Sequence, residues 1–188
     1  MLFLQNSSLY CKESFIMTKR IIKEIFSWVI LFVIAFVVAI LIDRFVIFKV
    51  EVPSGSMENT IMTGDKVVTF RLSYLFKDPK RGDIVVFPFP DNEEVDYIKR
   101  IIGVPGDKIE IIGGSLYIND QLYEEDYLYE PMDEEDFGPI TVPEESYFMM
   151  GDNRNTSRDS RSWKIKFVEE KKIKGKAIFK YPDFTWLN

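Results

Sequence analysis

The sequence predicts a mainly β protein, built of antiparallel sheets and preceded by one membrane-spanning helix. Two observations point to the sheets: short segments in which apolar and polar residues alternate, and turn residues that separate them at short intervals. A third observation, a long apolar run near the N-terminus, points to the helix. With 188 residues, 46% of them hydrophobic, the chain can bury one principal core and a small satellite lobe.

The apolar run covers residues 25–42, with Ser27 as its one non-apolar member. At about 1.5 Å per residue it spans roughly the hydrocarbon thickness of a bilayer. A buried core helix would show a polar stripe, and none is visible. The run exceeds the apolar region of a secretory signal and lacks an Ala-x-Ala site, so we expect an uncleaved anchor. Basic residues are denser before it, which places residues 1–24 in the cytoplasm and residues 43–188 outside.

Composition narrows the functional classes. The net charge of −6 argues against nucleic-acid binding, which normally needs a basic surface. One cysteine and no histidine exclude an intramolecular disulfide and a Cys/His metal site. We interpret Cys11 as an incidental thiol, with lipidation as the alternative. Residues 1–16 lack a clear period, and we expect translation to begin at Met17; an intact mass that includes residues 1–16 would refute this.

The outer segment opens with a predicted strand at residues 46–52, in which even-numbered apolar residues face one way while Lys49 and Glu51 face the other. Gly113 and Gly114 predict a hairpin turn. Further strands are predicted at residues 66–70, 83–89, 95–102, 107–112, 115–119, 146–150 and 176–181. No βαβ rhythm and no repeats are visible.

Two charged segments have structural and functional interpretations. Residues 124–138 hold eight acidic residues, but their spacing fits no EF-hand, so we predict a solvated loop in a small lobe inserted near residues 105–140. Residues 163–180 alternate lysines with apolar residues. We interpret this tail as an edge strand guarded against aggregation, with contact to anionic lipid as the alternative.

A short turn with two serines follows the first predicted strand. Pro53 limits φ on the approach and Gly55 permits backbone conformations that other residues avoid, so Ser56 can sit on a tight turn with its hydroxyl exposed. If Ser56 is a nucleophile, its base cannot be imidazole in a chain without histidine. The alternative is an ordinary turn serine.

Lys99 lies inside a predicted strand, on the same face as Val95, Tyr97 and Ile101. Burying an ammonium group without a partner is costly, and desolvation lowers the pKa of a lysine as a general base requires. The alternative is a lysine at a sheet edge whose amine reaches water.

The third polar segment is residues 151–161, GDNRNTSRDSR. Ser157 can orient a lysine by hydrogen bonding, and Asp159 with Arg161 can form a clamp that fixes the loop. An ordinary surface loop is the alternative. Together, the three segments offer a serine nucleophile, a lysine base and a supporting loop.

PSGSM, YIKRIIGVPGD and GDNRNTSRDSR, in this order behind an N-terminal anchor, resemble the motifs of the type I signal peptidases. These are membrane-bound serine proteases that remove signal peptides from exported proteins. The resemblance extends from the anchor nearly to the C-terminus, and the single span is similar to the form typical of Gram-positive bacteria. It implies a mostly β catalytic core of antiparallel sheets.

The resemblance also implies a role for each matching residue. Ser56 would be the nucleophile and Lys99 its general base, while Ser54 would supply a side-chain donor to the oxyanion hole beside the Ser56 N–H. Ser157 matches the serine that positions the lysine.

Asp159 and Arg161 match a structural ion pair of the family. Two positions depart from the family pattern: Asn59 stands where many members carry proline, and Asn155-Thr156 stands where Asp-Asn is common. Neither belongs to the serine–lysine pair, so we expect them to alter local turn geometry rather than activity.

On this resemblance, the reaction is peptide hydrolysis through an acyl-enzyme, without a metal or cofactor. The expected partners are signal peptides of exported preproteins and the lipid bilayer, with no nucleic acid; the oligomeric state stays open. Shallow apolar pockets would select small residues at the cleavage site. The pocket walls assigned by resemblance are Val50, Val52, Met57, Tyr97 and Ile98.

Other classes fit less well. Self-cleaving bacterial repressors use serine and lysine on a similar fold, but they are soluble and carry a helix-turn-helix. An inactive, membrane-tethered β domain that only binds partners is the non-enzyme alternative, and it would need none of the polar motifs. Sortase-like transpeptidation is excluded, because it requires cysteine and histidine in the outer segment.

Overall fold

The computed structural model describes the backbone of residues 2–187 and the side chains of residues 19–187. The chain divides into two compact units, Met1–Arg44 and Phe45–Asn188. Cys11, which we interpret as an incidental thiol, lies outside the residues whose side chains are described. The expected translation start at Met17 stays a prediction.

The first unit is helical. The helix α1 covers Leu2–Phe45 and contains the predicted span at residues 25–42. Its segment Lys19–Phe45 is long enough to cross a membrane, and an 18-residue window within it has a mean hydropathy of 3.2 and no buried residue. An apolar surface on all sides is what a helix surrounded by lipid requires.

The second unit contains two antiparallel sheets, which confirms the predicted fold class. The larger sheet has eight strands, in the spatial order β1 (Ile47–Glu51), β2 (Lys66–Phe70), β11 (Gly175–Tyr181), β3 (Ile84–Phe89), β4 (Asn92–Gly103), β9 (Ser146–Met150) and β10 (Val168–Glu169), with β12 (Thr185–Trp186) paired to β11. Short 3-10 helices lie at Gly55–Met57, Arg71–Tyr74 and Glu170–Lys172.

The smaller sheet has four strands, in the order β7 (Gln121–Leu122), β6 (Ser115–Ile118), β5 (Lys108–Ile112) and β8 (Phe137–Thr141). The predicted hairpin turn is present, with φ of +52° at Gly113 and +75° at Gly114. Two successive positive φ angles give a turn whose twist matches that of the flanking strands, which is why glycines occupy it.

The edge-strand interpretation of residues 163–180 is wrong for the last part of this tail. β11 pairs with β2 and β3 and therefore lies inside the larger sheet, whereas β10, which also belongs to this tail, lies at one edge and β1 lies at the other. The lysines of β11 bind carboxylates: Lys176 Nζ lies 2.5 Å from Asp83 Oδ1, and Lys180 Nζ lies 3.4 Å from Asp65 Oδ2. Paired lysines are tolerated in a central strand, and the spacing of lysines alone cannot reveal their partners.

The strand β4 positions the site because it is buried on both faces from Ile98 to Gly103. Its Ile102 packs in one apolar cluster with residues of both β5 and β9, such as Ile109 and Phe148, so the two sheets share core contacts at this strand. A side chain in this part of β4 is consequently held away from water, whichever face it occupies.

We expect Gly103→Ala to destabilise the protein by about 1–3 kcal/mol, as overpacking of a close-packed core typically does. A Cβ atom at Gly103 would lie 2.8 Å from Val142 Cγ2 and 3.0 Å from Phe148 Cβ. Urea unfolding of the full chain in detergent, followed by tryptophan fluorescence, measures the change. An unchanged unfolding midpoint would contradict the close packing between the sheets.

Candidate active site

Ser56 lies in the 3-10 turn Gly55–Met57, immediately after β1, and is 6% exposed. A Cβ atom at Gly55 would lie 2.7 Å from the carboxylate of Glu58, so a larger residue there would displace the end of the Glu58 side chain. Gly55 is not among the glycines with positive φ, which corrects the conformational reason expected from the sequence. The hydroxyl of Ser56 faces a groove rather than standing free on a turn.

Lys99 lies in the buried part of β4 and is 3% exposed. Its Nζ lies 2.5 Å from Ser56 Oγ and also donates to the Ile98 carbonyl at 3.2 Å. As predicted, the Lys99 side chain lies among apolar neighbours such as Tyr97 and the buried Ile101, but Val95 is exposed. The amine therefore does not extend to water at a sheet edge.

Burial is the main influence on the protonation of Lys99. Desolvation lowers the pKa of the Lys99 amine from 10.5 to about 8, because the charged form loses its water. The negative charges of Asp159 and Asp152 act in the opposite direction but are weaker. A large fraction of the amine is thus neutral at mildly alkaline pH and can accept the proton of the Ser56 hydroxyl.

Asp159 and Arg161 form the ion pair that the resemblance implies. The carboxylate of Asp159, fully buried, accepts from Arg161 Nε and Nη2 at 2.9 Å and from the Gly151 N–H at 3.1 Å. Arg161 also donates to Glu135 at 2.8 Å and to the Arg154 carbonyl at 2.6 Å. The pair therefore fixes both ends of the loop that contains Ser157.

The structure places Ser157 close to the nucleophile but does not join it to Lys99. Its hydroxyl oxygen is buried and has no hydrogen-bond partner among the described residues. Gly151 packs against Ser157 Oγ and the Ser56 carbonyl so closely that a Cβ atom would collide with both. The predicted lysine-orienting hydrogen bond is therefore not formed in this arrangement.

Ser54, the predicted oxyanion donor, is exposed. Its Oγ lies 3.4 Å from Ser56 Oγ. The side-chain hydroxyl thus reaches the immediate surroundings of the atom that would attack a carbonyl.

The serine and the lysine lie in a groove of about 500 Å³. Val50, Val52, Tyr97 and Ile98 line it, as the resemblance implies. Met57 does not: its side chain is 0% exposed and packs in the core cluster below the turn. The 3-10 turn directs Met57 into the core and its neighbour Ser56 into the groove. The groove also has charged residues in its walls that the sequence did not indicate: Glu51, Glu58, Asp96 and Arg158.

Sequence reasoning also missed two buried ion pairs around the site. Arg100 Nη2 lies 2.7 Å from Asp152 Oδ2, with side chains 3% and 0% exposed, and Thr60 donates to the same oxygen at 2.5 Å. Arg154 pairs with Glu125, with side chains 0% and 4% exposed. The signal available in the sequence was Arg100 itself, a second charged residue directly after Lys99 in an apolar strand.

Among the described residues, no group of three acidic or cysteine side chains is arranged to hold a metal ion.

A mainly β fold that holds a serine hydroxyl against a buried lysine amine in an open groove defines a protein of the serine–lysine class. The family described as signal peptidase, peptidase S26, matches residues 25–182. The chain belongs to this family, which confirms the resemblance seen in the sequence.

Named relatives agree with this placement. The chain is 40% identical over 135 residues to "Probable signal peptidase I-2" of Synechocystis sp., covering 69% of this chain and 61% of that protein. It is 37% identical over 170 residues to "Signal peptidase I" of Bacillus licheniformis, covering 86% of this chain and 90% of that protein. It is 31% identical over 180 residues to "Signal peptidase IB" of Staphylococcus aureus (strain COL), covering 87% and 92%. The chain thus spans less than two thirds of the Synechocystis relative.

We expect Arg100→Met to cost about 3–5 kcal/mol of unfolding free energy, because it leaves the buried Asp152 carboxylate without its counter-charge. The matched control is Lys172→Met, which breaks the more exposed pair with Glu93 and should cost at most about 1 kcal/mol. Urea unfolding of both variants measures the difference. Equal effects would contradict the assigned burial of the Arg100–Asp152 pair.

Proposed function

We propose that the protein is a membrane-anchored serine endopeptidase that cleaves signal peptides from exported preproteins, with Ser56 as nucleophile and Lys99 as general base. The observation that carries the proposal is the 2.5 Å contact between Lys99 Nζ and Ser56 Oγ in an open groove. Membership of the signal peptidase family and the names of the relatives support the substrate class.

The first half of the reaction forms an acyl-enzyme. Neutral Lys99 accepts the Ser56 proton as Oγ bonds to the scissile carbonyl carbon, whose oxygen becomes an oxyanion. Lys99 then delivers this proton to the peptide nitrogen as the C–N bond breaks, and the amine leaves. In the second half, Lys99 takes a proton from water as the water oxygen attacks the ester, and it returns that proton to Ser56 Oγ as the ester C–O bond breaks and the acid product leaves. The steps balance without a metal or cofactor.

The oxyanion would be stabilised by the N–H of Ser56 and the hydroxyl of Ser54. The 3.4 Å separation of the two serine hydroxyls supports this role, since a donor so close to the attacking oxygen is also close to the carbonyl that it attacks. Loss of one oxyanion donor typically costs about 3 kcal/mol of transition-state stabilisation.

Ser157 is proposed to position Lys99, with Asp159 and Arg161 holding its loop. The unpartnered hydroxyl of Ser157, packed beside Gly151 and the Ser56 carbonyl, supports this role, because a buried hydroxyl without a partner is available to the lysine.

The groove would bind the cleavage site as an extended strand, with Val50, Val52, Tyr97 and Ile98 around the small side chains that precede the cut. The apolar segment Lys19–Phe45 would anchor the enzyme and raise its effective concentration near membrane-held preproteins. The distribution of basic residues supports a cytoplasmic N-terminus and a catalytic domain outside the cytoplasm.

Ser56→Ala should abolish cleavage of a purified preprotein in detergent, and Lys99→Ala should lower kcat by about 10²–10⁴-fold, the usual contribution of a general base. The matched control is Lys66→Ala, which removes an exposed lysine of β2. A chelator is present throughout. Undiminished cleavage by either variant would remove that residue from the mechanism, and no cleavage by folded wild type would favour the binding-domain alternative.

The activity should rise with pH through about 8 and level off above it. The reason is that only the neutral amine of Lys99 accepts a proton, and its pKa is lowered by burial to about 8, so the ammonium form predominates below that pH. A profile of kcat/KM against pH measures this. An acid limb near 10.5, the ordinary value for lysine, would contradict a desolvated base.

A further inference from the structure

The segment between β7 and β8 has contacts that the proposed reaction does not explain. We call residues 125–135 the acidic strap. The sequence indicates a solvated loop, but in the structure this segment contacts each of the three polar segments that supply Ser56, Lys99 and Ser157. Its Glu125 side chain is 4% exposed, which is unusual for an acidic loop residue.

The first contact is with the nucleophile segment. Asn59 Nδ2 donates to the carbonyls of Tyr127 and Leu128 at 3.1 Å and 3.3 Å. The φ of Asn59 is +81°, which asparagine tolerates but proline cannot adopt, since its ring fixes φ near −65°. Asn59 therefore replaces the proline of many family members with a residue that ties the Ser56 turn to the strap.

The second contact is with β4. The Arg100 guanidinium lies 3.9 Å from the centre of the Tyr127 ring, and the Tyr129 N–H donates to the Asp152 carbonyl at 3.2 Å. Arg100 adjoins Lys99 and forms the buried ion pair with Asp152. The strap thus packs against Arg100, which follows Lys99 in β4 and forms the buried ion pair with Asp152.

The third contact is with the loop at residues 151–161. Glu125 accepts from Arg154 Nη1 and Nη2 at 2.6 Å and 2.5 Å, and Arg154 Nε donates to the Gly151 carbonyl at 3.0 Å. Gly151 is the residue packed between Ser157 and the Ser56 carbonyl. A bidentate arginine–carboxylate pair fixes orientation as well as distance, so Glu125 defines where this turn lies.

Asn155 adds a second tie between the strap and this loop. Its Oδ1 accepts from the Asp133 N–H at 2.9 Å, and its Nδ2 donates to Glu130 at 3.0 Å and to the Pro131 carbonyl at 3.1 Å. The two positions that depart from the family pattern, Asn59 and Asn155, are therefore both residues that bind the strap through their side-chain amides.

We propose that the acidic strap is a positioning element of this enzyme, which sets the mutual placement of the three catalytic segments through its contacts with Asn59, Arg100 and the Arg154–Asn155 pair of residues. The proposal rests on the proposed function. One segment in contact with three others fixes their separations more narrowly than pairwise contacts do, and reacting groups tolerate little misplacement. Asn59, Arg154, Asn155 and Glu125 touch no reacting atom and act through the turns they hold.

The test uses two strap-weakened variants of the full chain in detergent. Asn59→Gly with Asn155→Ala removes both amides, and glycine adopts the positive φ at residue 59 without strain. Glu125→Gln keeps the shape of the side chain but removes its charge. The matched control is Glu124→Gln, which removes one charge from the exposed residue just outside the strap.

We expect both strap variants to lose about 10-fold or more in kcat with KM within about twofold, because misplacement by 1 Å can cost about 100-fold. We also expect the acid limb of the pH profile to move to higher pH, because looser packing readmits water to Lys99. The charged groups near that amine, Asp159 and Asp152, are unchanged in both variants. Glu124→Gln should match wild type.

A purely structural role gives different results. Wild-type kcat and an unshifted pH profile in the strap variants, or a loss of activity explained entirely by a smaller folded fraction, would overturn the proposal.

Amide hydrogen exchange tests the positioning role of the strap separately from the proposed function, since this measurement needs no substrate. Faster exchange confined to residues 55–58 and 151–157 in the strap variants supports positioning even if wild type cleaves no preprotein, and unchanged exchange there overturns it.

Discussion

The amine of Lys99 can take a proton from Ser56 only while it is neutral, and contact with water would keep it charged. The fold therefore has to shield the Nζ atom of Lys99 from water. It must also bring this atom within 2.5 Å of the Ser56 hydroxyl, which a substrate has to reach. The strand β4 satisfies the first requirement because it is covered on both faces. The tight turn after β1 satisfies the second, since Met57 is directed into the core while Ser56 faces the groove.

The charges around this nitrogen are arranged so that it stays unpaired. Buried carboxylates lie close by, but each described one binds an arginine: Asp152 binds Arg100, Asp159 binds Arg161 and Glu125 binds Arg154. An arginine remains charged at every relevant pH and holds a carboxylate in a bidentate geometry, so these acids do not form ion pairs with the lysine. Buried ion pairs add little net stability, but they specify geometry, which is what three separate segments around one site require.

The sequence was sufficient to predict eight of the twelve strands, because alternation is a local signal; the short strands β7, β10 and β12 and the irregular β8 show none. The serine–lysine pair was assigned by resemblance, since each segment alone also fits an ordinary turn serine or a lysine at a sheet edge. The sequence was not sufficient for features that depend on long-range partners. The interior position of β11 depends on Asp83 and Asp65, which lie far away in sequence. The acidic strap was predicted to be a solvated loop because Arg154, which neutralises Glu125, comes 29 residues later in the sequence. Met57 was placed in the pocket wall by resemblance, but in the 3-10 turn it packs into the core while its neighbour Ser56 faces the groove.

The mechanism depends on a desolvated Lys99 amine whose pKa is low enough to give the neutral form. The most direct measurement is an NMR titration of the Lys99 side chain in the full-length protein in detergent, assigned by comparison with Lys99→Ala and referenced to the exposed Lys66. We expect a Lys99 midpoint near pH 8, well below that of the exposed lysine. A midpoint near 10.5 would show that the amine is hydrated and charged at the pH of catalysis, and would contradict its role as the base.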